Sequence, residues 1–301
     1  MNKIEIIAEL AQGFEGNSMK GRLLIQAAAA AGADAAKFQM VYADELATPD
    51  YKYYDLFKSL EMKDAEWKDL SVYASSLGVS LYSDIFGIRS LSLSEEINIP
   101  CVKIHGTDIA NEFLLRRVAE SSIPRVILGA GGAYLKEIEA ALNFLKNKQV
   151  VILLGFQAYP TSTEHNQISR IDVLKSHIKT KYSGVEVGFA DHAEPTSMLR
   201  LAIATTAVGN GATVIEKHLT LGREMKMEDH ESALNPDEFQ EFVTIVRASA
   251  TALGMAELSD DFLMSEQESG YRKMIRRHVV TGRAIESGQI LRAEDVVLKR
   301  T

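Results

Sequence analysis

The segment 185-VEVGFADHAEP-195 decides the fold, because its apolar run ends abruptly on Asp191 and His192. A second segment, 212-ATVIEKHLT-220, ends in the same way on His218. A short apolar run that is bounded by polar residues is typical of a strand buried in a parallel sheet. The two segments therefore predict two strands, and each of them carries a histidine at its carboxyl end.

Six more runs of this kind alternate with stretches whose apolar residues recur at helical spacing. We expect the eight strands at residues 4–9, 34–39, 79–85, 101–106, 125–130, 150–156, 185–191 and 212–218. Eight strand–helix units in about 250 residues match a (β/α)8 TIM barrel, a fold of the α/β class. A doubly wound open sheet is the alternative, but 8-AELAQGFEG-16 lacks the GxGxxG turn that such sheets often carry.

Composition narrows the class of protein. The chain has 301 residues, of which 46% are hydrophobic and 25% charged, as in ordinary globular enzymes. A net charge of -8 argues against a nucleic-acid partner. The single cysteine, Cys101, excludes an intramolecular disulfide and favours the reducing cytoplasm. We expect neither a secretory signal nor a membrane-spanning segment, because no suitable apolar run occurs.

The carboxyl ends of the strands hold the chemistry of a (β/α)8 barrel, so polar residues there are candidates for a site. His192 and His218 would lie on neighbouring strands and could share one divalent metal, Mn²⁺ or Mg²⁺. Two protein ligands would leave positions for water and substrate. The alternative is two histidines that hydrogen-bond only to the backbone.

Other candidates also have an ordinary alternative. Lys37 and Lys103 could hold an anion or form a Schiff base, or each could pair with an acid. Glu9 could act as a base or form a salt bridge to Lys37. Asp229 could serve the site or belong to a solvated acidic loop, and Tyr159 could cover a substrate or shape its loop.

Seven segments occur in an order that is specific, although each segment alone is a weak signal. They are IAELAQGFEGN (7–17), AGADAAKFQ (31–39), CVKIHGTD (101–108), QAYPT (157–161), GFADHA (188–193), EKHLT (216–220) and EDHESALNPDEF (228–239). The series resembles the N-acetylneuraminate (sialic acid) synthase family over residues 4–254. Residues 276–300 look like the opening of that family's antifreeze-like (SAF) domain.

The resemblance implies an enzyme that condenses phosphoenolpyruvate with an open-chain N-acyl amino sugar to give a nonulosonic or related acidic sugar. It implies a homodimer and a divalent metal, Mn²⁺ or Mg²⁺, bound by His192 and His218. Lys37 and Lys103 match the lysines that hold phosphoenolpyruvate. The resemblance gives further roles in the sugar site and reaction centre to Glu9, Gln39, Tyr159, Asp229 and, from the partner subunit, Arg300.

Four positions depart from the family's phosphate pocket, which relies on hydroxyl side chains. Asp84 stands where a threonine is usual, and small residues replace hydroxyl residues at Gly106, Gly129 and Ala190. We therefore predict weakened binding of the phosphate and name Asp84 as a substrate-binding candidate. Two alternatives follow: a metal-dependent aldolase or lyase that acts on a sugar acid without phosphoenolpyruvate, and a non-catalytic barrel that binds a sugar or a protein.

The expected domain organisation has three parts. We assign residues 1–255 to the barrel, 256–275 to a polar linker and 276–301 to a partial SAF-like arm.

Overall fold

A computed structural model describes residues 4–155, 158–254 and 262–301. Eight parallel strands form a closed barrel in sequence order. They are β1 (Glu5–Ala11), β2 (Ala35–Met40), β3 (Ser80–Ile85), β4 (Cys101–Ile104), β5 (Arg125–Gly129), β6 (Gln149–Leu154), β7 (Val185–Asp191) and β8 (Val214–His218). The predicted TIM barrel is confirmed. All eight expected strands are present with small shifts at their ends, and residue 156, the expected end of the sixth, lies outside the described residues.

Helices surround the barrel, and the longer ones bury apolar residues towards the sheet. They are α1 (Ser18–Ala30), α2 (Ala43–Leu46), α3 (Tyr54–Leu60), α4 (Asp64–Ser76), α5 (Ile88–Glu96), α6 (Glu112–Glu120), α7 (Leu135–Phe144), α8 (Arg170–Lys179), α9 (Leu199–Gly209) and α10 (Pro236–Leu253). In the alanine-rich α1, Leu24, Ile25 and Ala28 are buried, and Asn17 caps the helix by accepting hydrogen bonds from two backbone N–H groups. No described helix combines the length and apolar character needed to span a membrane.

The barrel interior has an apolar layer below and an ionisable layer above. Ile7, Ala35, Tyr82, Cys101 and Val214 belong to one buried cluster inside the barrel. Side chains two positions apart on a strand share a face. On these five strands the inward-facing residue one step closer to the carboxyl end is ionisable: Glu9, Lys37, Asp84, Lys103 and Glu216. We call these five residues the ionic layer.

Strand register sets the height of these side chains. Glu9 pairs with Lys37 across β1 and β2, and with His218 across β1 and β8, where the barrel closes. Asp84 pairs with Lys103 across β3 and β4. The ionic layer and the predicted histidines therefore meet at one end of the barrel.

Two glycines lie in close contact beside this end. A Cβ atom added to Gly129 would lie 2.9 Å from the backbone N of Gly106 and 3.2 Å from the carbonyl oxygen of Ile104. A Cβ added to Gly106 would meet nothing closer than the carbonyl oxygen of Gly131 at 3.4 Å. The backbones after β4 and β5 therefore approach more closely than a side chain at Gly129 would allow.

This contact gives a prediction for stability. We expect Gly129→Ala to lower the free energy of unfolding by about 1–3 kcal/mol, since the backbone around it has to shift. Gly106→Ala is the matched control and should have the smaller effect. Denaturant unfolding of both variants measures the difference, and equal losses would show that the close contact has no energetic weight.

The chain divides into two compact units, residues 1–253 and residues 254–301. The second unit contains α11 (Glu266–Ile275) and the antiparallel strands β9 (His278–Thr281) and β10 (Val296–Lys299). Of the segment predicted as a linker, residues 256–261 lie outside the described residues, and the remainder includes α11. The barrel, linker and SAF-like limits stay predictions.

Candidate active site

The ionic layer is a buried network of two ammonium groups and three carboxylates. Lys37 contacts the carboxylate of Glu9, and its Nζ lies 3.0 Å from Oδ1 of Asp84 and 3.4 Å from Oε2 of Glu216. Lys103 Nζ lies 2.8 Å from Oε1 of Glu216, 3.5 Å from Oδ2 of Asp84 and 3.6 Å from Oε2 of Glu9. Each residue is at most 3% exposed. Both lysines therefore pair with acids, and each of the three carboxylates contacts both of them.

The pairing sets the charge states of the lysines. Burial alone would lower the pKa of Lys37, but Asp84, Glu216 and Glu9 together raise it above its ordinary value. The same carboxylates outweigh burial at Lys103 and raise its pKa well above the ordinary value. Both side chains therefore stay protonated at neutral pH, and the geometry does not favour a Schiff base, which needs a free amine.

The carboxylates of the layer differ from one another. Burial raises the pKa of Glu9 to about 7, against the opposing effect of Lys37. At Glu216 the pKa is lowered, because Lys103 and Lys37 together outweigh burial. Catalytic sites often contain two acids whose surroundings shift their pKa values in opposite directions. Glu9 thus exchanges a proton more readily near neutral pH than Glu216 does.

The two predicted histidines lie side by side next to the ionic layer. His192 follows β7 directly, His218 ends β8, and their ring centroids are 5.2 Å apart. Tyr159 packs edge-on against both rings, at 5.2 Å and 5.6 Å. Burial lowers the pKa of His192 to about 3 and the pKa of His218 well below its ordinary value. Both rings are therefore neutral, which is the form that binds metals.

Acidic side chains near the histidines have different partners. Asp191 accepts hydrogen bonds from the backbone N of Ala193 at 2.7 Å and from Nζ of Lys217 at 3.2 Å. Asp191 therefore supports its own turn. Asp229 places Oδ2 3.9 Å from Nδ1 of His218, and burial, with help from neighbouring acids, raises its pKa to about 7.

The histidine pair fits a divalent metal in one specific respect. Nδ1 of His192 is buried and meets no hydrogen-bond partner of good geometry in the described part of the chain. Within the same part, no group of three or more His, Cys, Asp or Glu side chains is arranged to hold a metal. His192 and His218 would thus hold an ion with open positions, as a catalytic site requires.

A cavity of about 240 Å³ lies at the mouth of the barrel. Its lining includes Gln12, Gln39, Phe57, Phe86, Tyr159 and Asp229. Nε2 of Gln12 donates a hydrogen bond to Oε1 of Gln39 at 2.7 Å. We call this space the mouth cavity. Amide groups beside aromatic rings suit a polyhydroxy compound that also has apolar faces.

The structure brings together nine of the ten residues that the sequence proposed for the site. They are Glu9, Gln39, Lys37, Lys103, Asp84, Tyr159, His192 and His218, with Asp229 joining them from the loop after β8 in the mouth cavity. Arg300 is in the C-terminal unit, where its Nε donates a hydrogen bond to the carbonyl oxygen of Ile275 at 3.2 Å. The role of Arg300 stays a prediction.

Two residues of the site were not proposed as site residues from sequence. Glu216 lies two positions before His218 on β8 and pairs with both lysines. Gln12 lies just after β1 and contacts Gln39. The position of Gln12 just after the first strand is the sequence signal that could have identified it as a site residue.

Known proteins resemble this chain in sequence. Residues 24–257 match the model of the NeuB family. The chain is 32% identical to the uncharacterized protein MJ1065 of Methanocaldococcus jannaschii over 298 residues, which cover 98% of this chain and 84% of that protein. It is 28% identical to the N,N'-diacetyllegionaminic acid synthase of Legionella pneumophila over 316 residues, 98% of this chain and 85% of that enzyme.

A solved structure shares the same architecture. The N-acetylneuraminic acid synthetase of Leptospira borgpetersenii, crystallised in complex with citrate, superposes with a TM-score of 0.81 at 29% identity, over 91% of this chain and 93% of that one. The resemblance inferred from ordered sequence segments is thereby confirmed. With a family match over most of the barrel and relatives aligned along nearly the whole sequence, the chain belongs to the NeuB family.

Proposed function

We propose that this protein is a carbon–carbon bond-forming synthase. It joins C3 of an enolpyruvyl donor to the aldehyde carbon of an open-chain N-acyl amino sugar, and the product is a nonulosonic or related acidic sugar. The observation that carries the proposal is the neutral pair His192 and His218 beside the ionic layer, both packed against Tyr159, which lines the mouth cavity. The names of the legionaminic and sialic acid synthase relatives support the same reaction.

The side chains divide the work in this proposal. A divalent metal held by His192 and His218 would polarise the aldehyde oxygen. Gln39, oriented by Gln12, receives sugar hydroxyl groups in the mouth cavity. Lys37 and Lys103 face the carboxylate of the donor, and Glu9 transfers a proton.

Phosphoenolpyruvate is the donor that the resemblance implies. With this donor, C3 attacks the aldehyde carbon, water adds at C2 and inorganic phosphate leaves. The reaction therefore consumes one water molecule and releases one phosphate for each bond formed. A homodimer, in which Arg300 of each subunit serves the partner's sugar site, is part of the same proposal.

A second candidate is an aldolase or lyase that uses the same carbonyl activation with an unphosphorylated donor. One contact favours it: Asp84 lies between the two lysines, at 3.0 Å from Lys37 and 3.5 Å from Lys103. A carboxylate there competes with any anion that the lysines would otherwise bind.

Product formation tests the proposal. We expect purified protein, supplied with Mn²⁺, a three-carbon donor and a panel of N-acyl amino sugars, to form a 2-oxo acid with three more carbons than the acceptor. Mass spectrometry identifies this product by its added mass. If sugars bind by calorimetry while no donor gives a product, the barrel is a binding protein and the proposal is wrong.

A further inference from the structure

Both lysines of the ionic layer are already paired with carboxylates, so neither ammonium group is free to bind the donor. Nζ of Lys37 and Nζ of Lys103 each lie within 3.6 Å of an oxygen of three carboxylates. All five side chains of the ionic layer are buried. Glu216 contacts both lysines through one carboxylate oxygen to each of them, and Asp84 does the same. An incoming anion would have to share both ammonium groups with these carboxylates.

Charge counting shows which donor the layer can accept. Two ammonium groups and three carboxylates leave one negative charge when all are ionised. A phosphate monoester adds about −1.5 to −2 near neutral pH, in addition to the donor's own carboxylate. A donor with a carboxylate alone adds a single negative charge, which a divalent ion between the histidines would balance together with that of the layer. Buried charges that stay unbalanced are strongly unfavourable.

The walls around the layer offer little to a phosphate group. Gly106 and Gly129 have no side chain that could carry a hydroxyl. A side chain at Gly129 would not fit, because the backbone of Gly106 is too close. Ala190, which pairs in register with Glu216, carries none either. The hydroxyl of Thr107 already lies 3.1 Å from both His105 and Asp108. Among these described residues, phosphate would gain no unengaged side-chain donor.

We infer that the donor of this protein is an unphosphorylated three-carbon 2-oxo acid of the pyruvate class. The inference rests on the proposed carbon–carbon bond formation and develops its second candidate, in which the donor is unphosphorylated. The carboxylate of Glu9 takes a proton from the methyl carbon of the donor, and the electron pair of that C–H bond forms the new bond to the aldehyde carbon of the sugar. The aldehyde π bond becomes a C–O single bond, whose oxygen takes up a proton to form a hydroxyl. The product contains every atom of both substrates, so the reaction is reversible and uses neither water nor phosphate.

A comparison of donors tests the inference. With Mn²⁺ and the same acceptor panel, we expect product from pyruvate and at least tenfold less from phosphoenolpyruvate. The purified product should be cleaved by the enzyme, and lactate dehydrogenase with NADH detects the released pyruvate. Product from phosphoenolpyruvate alone, or equally from both donors, would overturn the inference and leave the proposed function intact. Product from neither donor would remove the proposed function, and the inference with it.

Binding provides a readout that is independent of turnover. We expect phosphoenolpyruvate to bind at least tenfold more tightly to Asp84→Asn than to the wild type, by calorimetry, since the variant leaves two carboxylates for two lysines. Asp34→Asn is the matched control, because Asp34 pairs with Arg247 (3.0 Å) just before β2, at the opposite end of the barrel. Its affinity should equal that of the wild type. If the wild type already binds phosphoenolpyruvate as tightly as Asp84→Asn, Asp84 does not exclude phosphate and the inference is wrong.

Discussion

Replacing either His192 or His218 by alanine is expected to lower kcat/KM at least about a thousandfold, which corresponds to about 4 kcal/mol of transition-state stabilisation. The reason is that, in the proposed metal site, the ligands are two neutral imidazoles whose ring centroids are 5.2 Å apart. Loss of one ring leaves a single strong ligand for the ion that activates the carbonyl group. Steady-state kinetics with saturating Mn²⁺ and the best acceptor measures the effect.

A surface histidine provides the control for these variants. His177 on α8 hydrogen-bonds to Glu139 at 2.9 Å, and His177→Ala should keep kcat/KM within about threefold of the wild type. Circular dichroism should show that all three variants are folded. Retention of a tenth or more of the wild-type activity in either site variant would mean that the pair does not activate the substrate.

Removing a positive charge from the ionic layer is expected to have the largest effect on stability. Lys37→Met should lower the free energy of unfolding by about 3–5 kcal/mol, because it leaves three buried carboxylates with one lysine. The double variant Lys37→Met, Asp84→Asn should recover part of this loss. Removing the carboxylate of Asp84 leaves one fewer buried negative charge without a cation. Denaturant unfolding of the single and double variants measures both quantities.

An exposed lysine that is also paired with a carboxylate serves as the control for Lys37→Met. Lys20 forms an ion pair with Glu15 at the surface, and Lys20→Met should change the free energy of unfolding by less than about 1 kcal/mol. If Lys37→Met were no more destabilising than Lys20→Met, the ionic layer would be well hydrated in solution. The charge argument about the donor would then lose its basis.

Much of the fold could be predicted because each strand carries its own signal. The runs before His192 and His218 are short and apolar, and the helical stretch that ends at Gly32 shows where one unit stops. These are local patterns, and a barrel follows once eight of them alternate with helices. Strand ends shifted slightly because hydrogen bonding, rather than hydrophobicity, decides where a strand stops.

The pairing within the site could not be predicted in the same way. Glu9, Lys37, Asp84, Lys103 and Glu216 are each visible in the sequence as strand-end residues, but which of them touch depends on register around the closed barrel. One of these contacts, the salt bridge between Glu9 and Lys37, was predicted from the sequence as an alternative. The bridging position of Asp84 follows only from the three-dimensional arrangement.

Backbone geometry accounts for the other omissions. Gln12 reaches Gln39 because the chain turns sharply after β1, where Ala11 has a φ of 44°. Gly106 and Gly129 belong to different strand ends, 23 positions apart, and their contact requires β4 and β5 to be neighbours. No local sequence pattern reports a contact of this kind.

The central claim is that two histidines on neighbouring strands hold one divalent ion next to a self-compensated ionic layer. Anomalous diffraction at the manganese edge, from crystals soaked in Mn²⁺, tests it most directly. We predict one strong peak within bonding distance of both His192 and His218, which is lost in crystals of His218→Ala. A map with no peak there, or with manganese bound only elsewhere in the protein, would contradict the account.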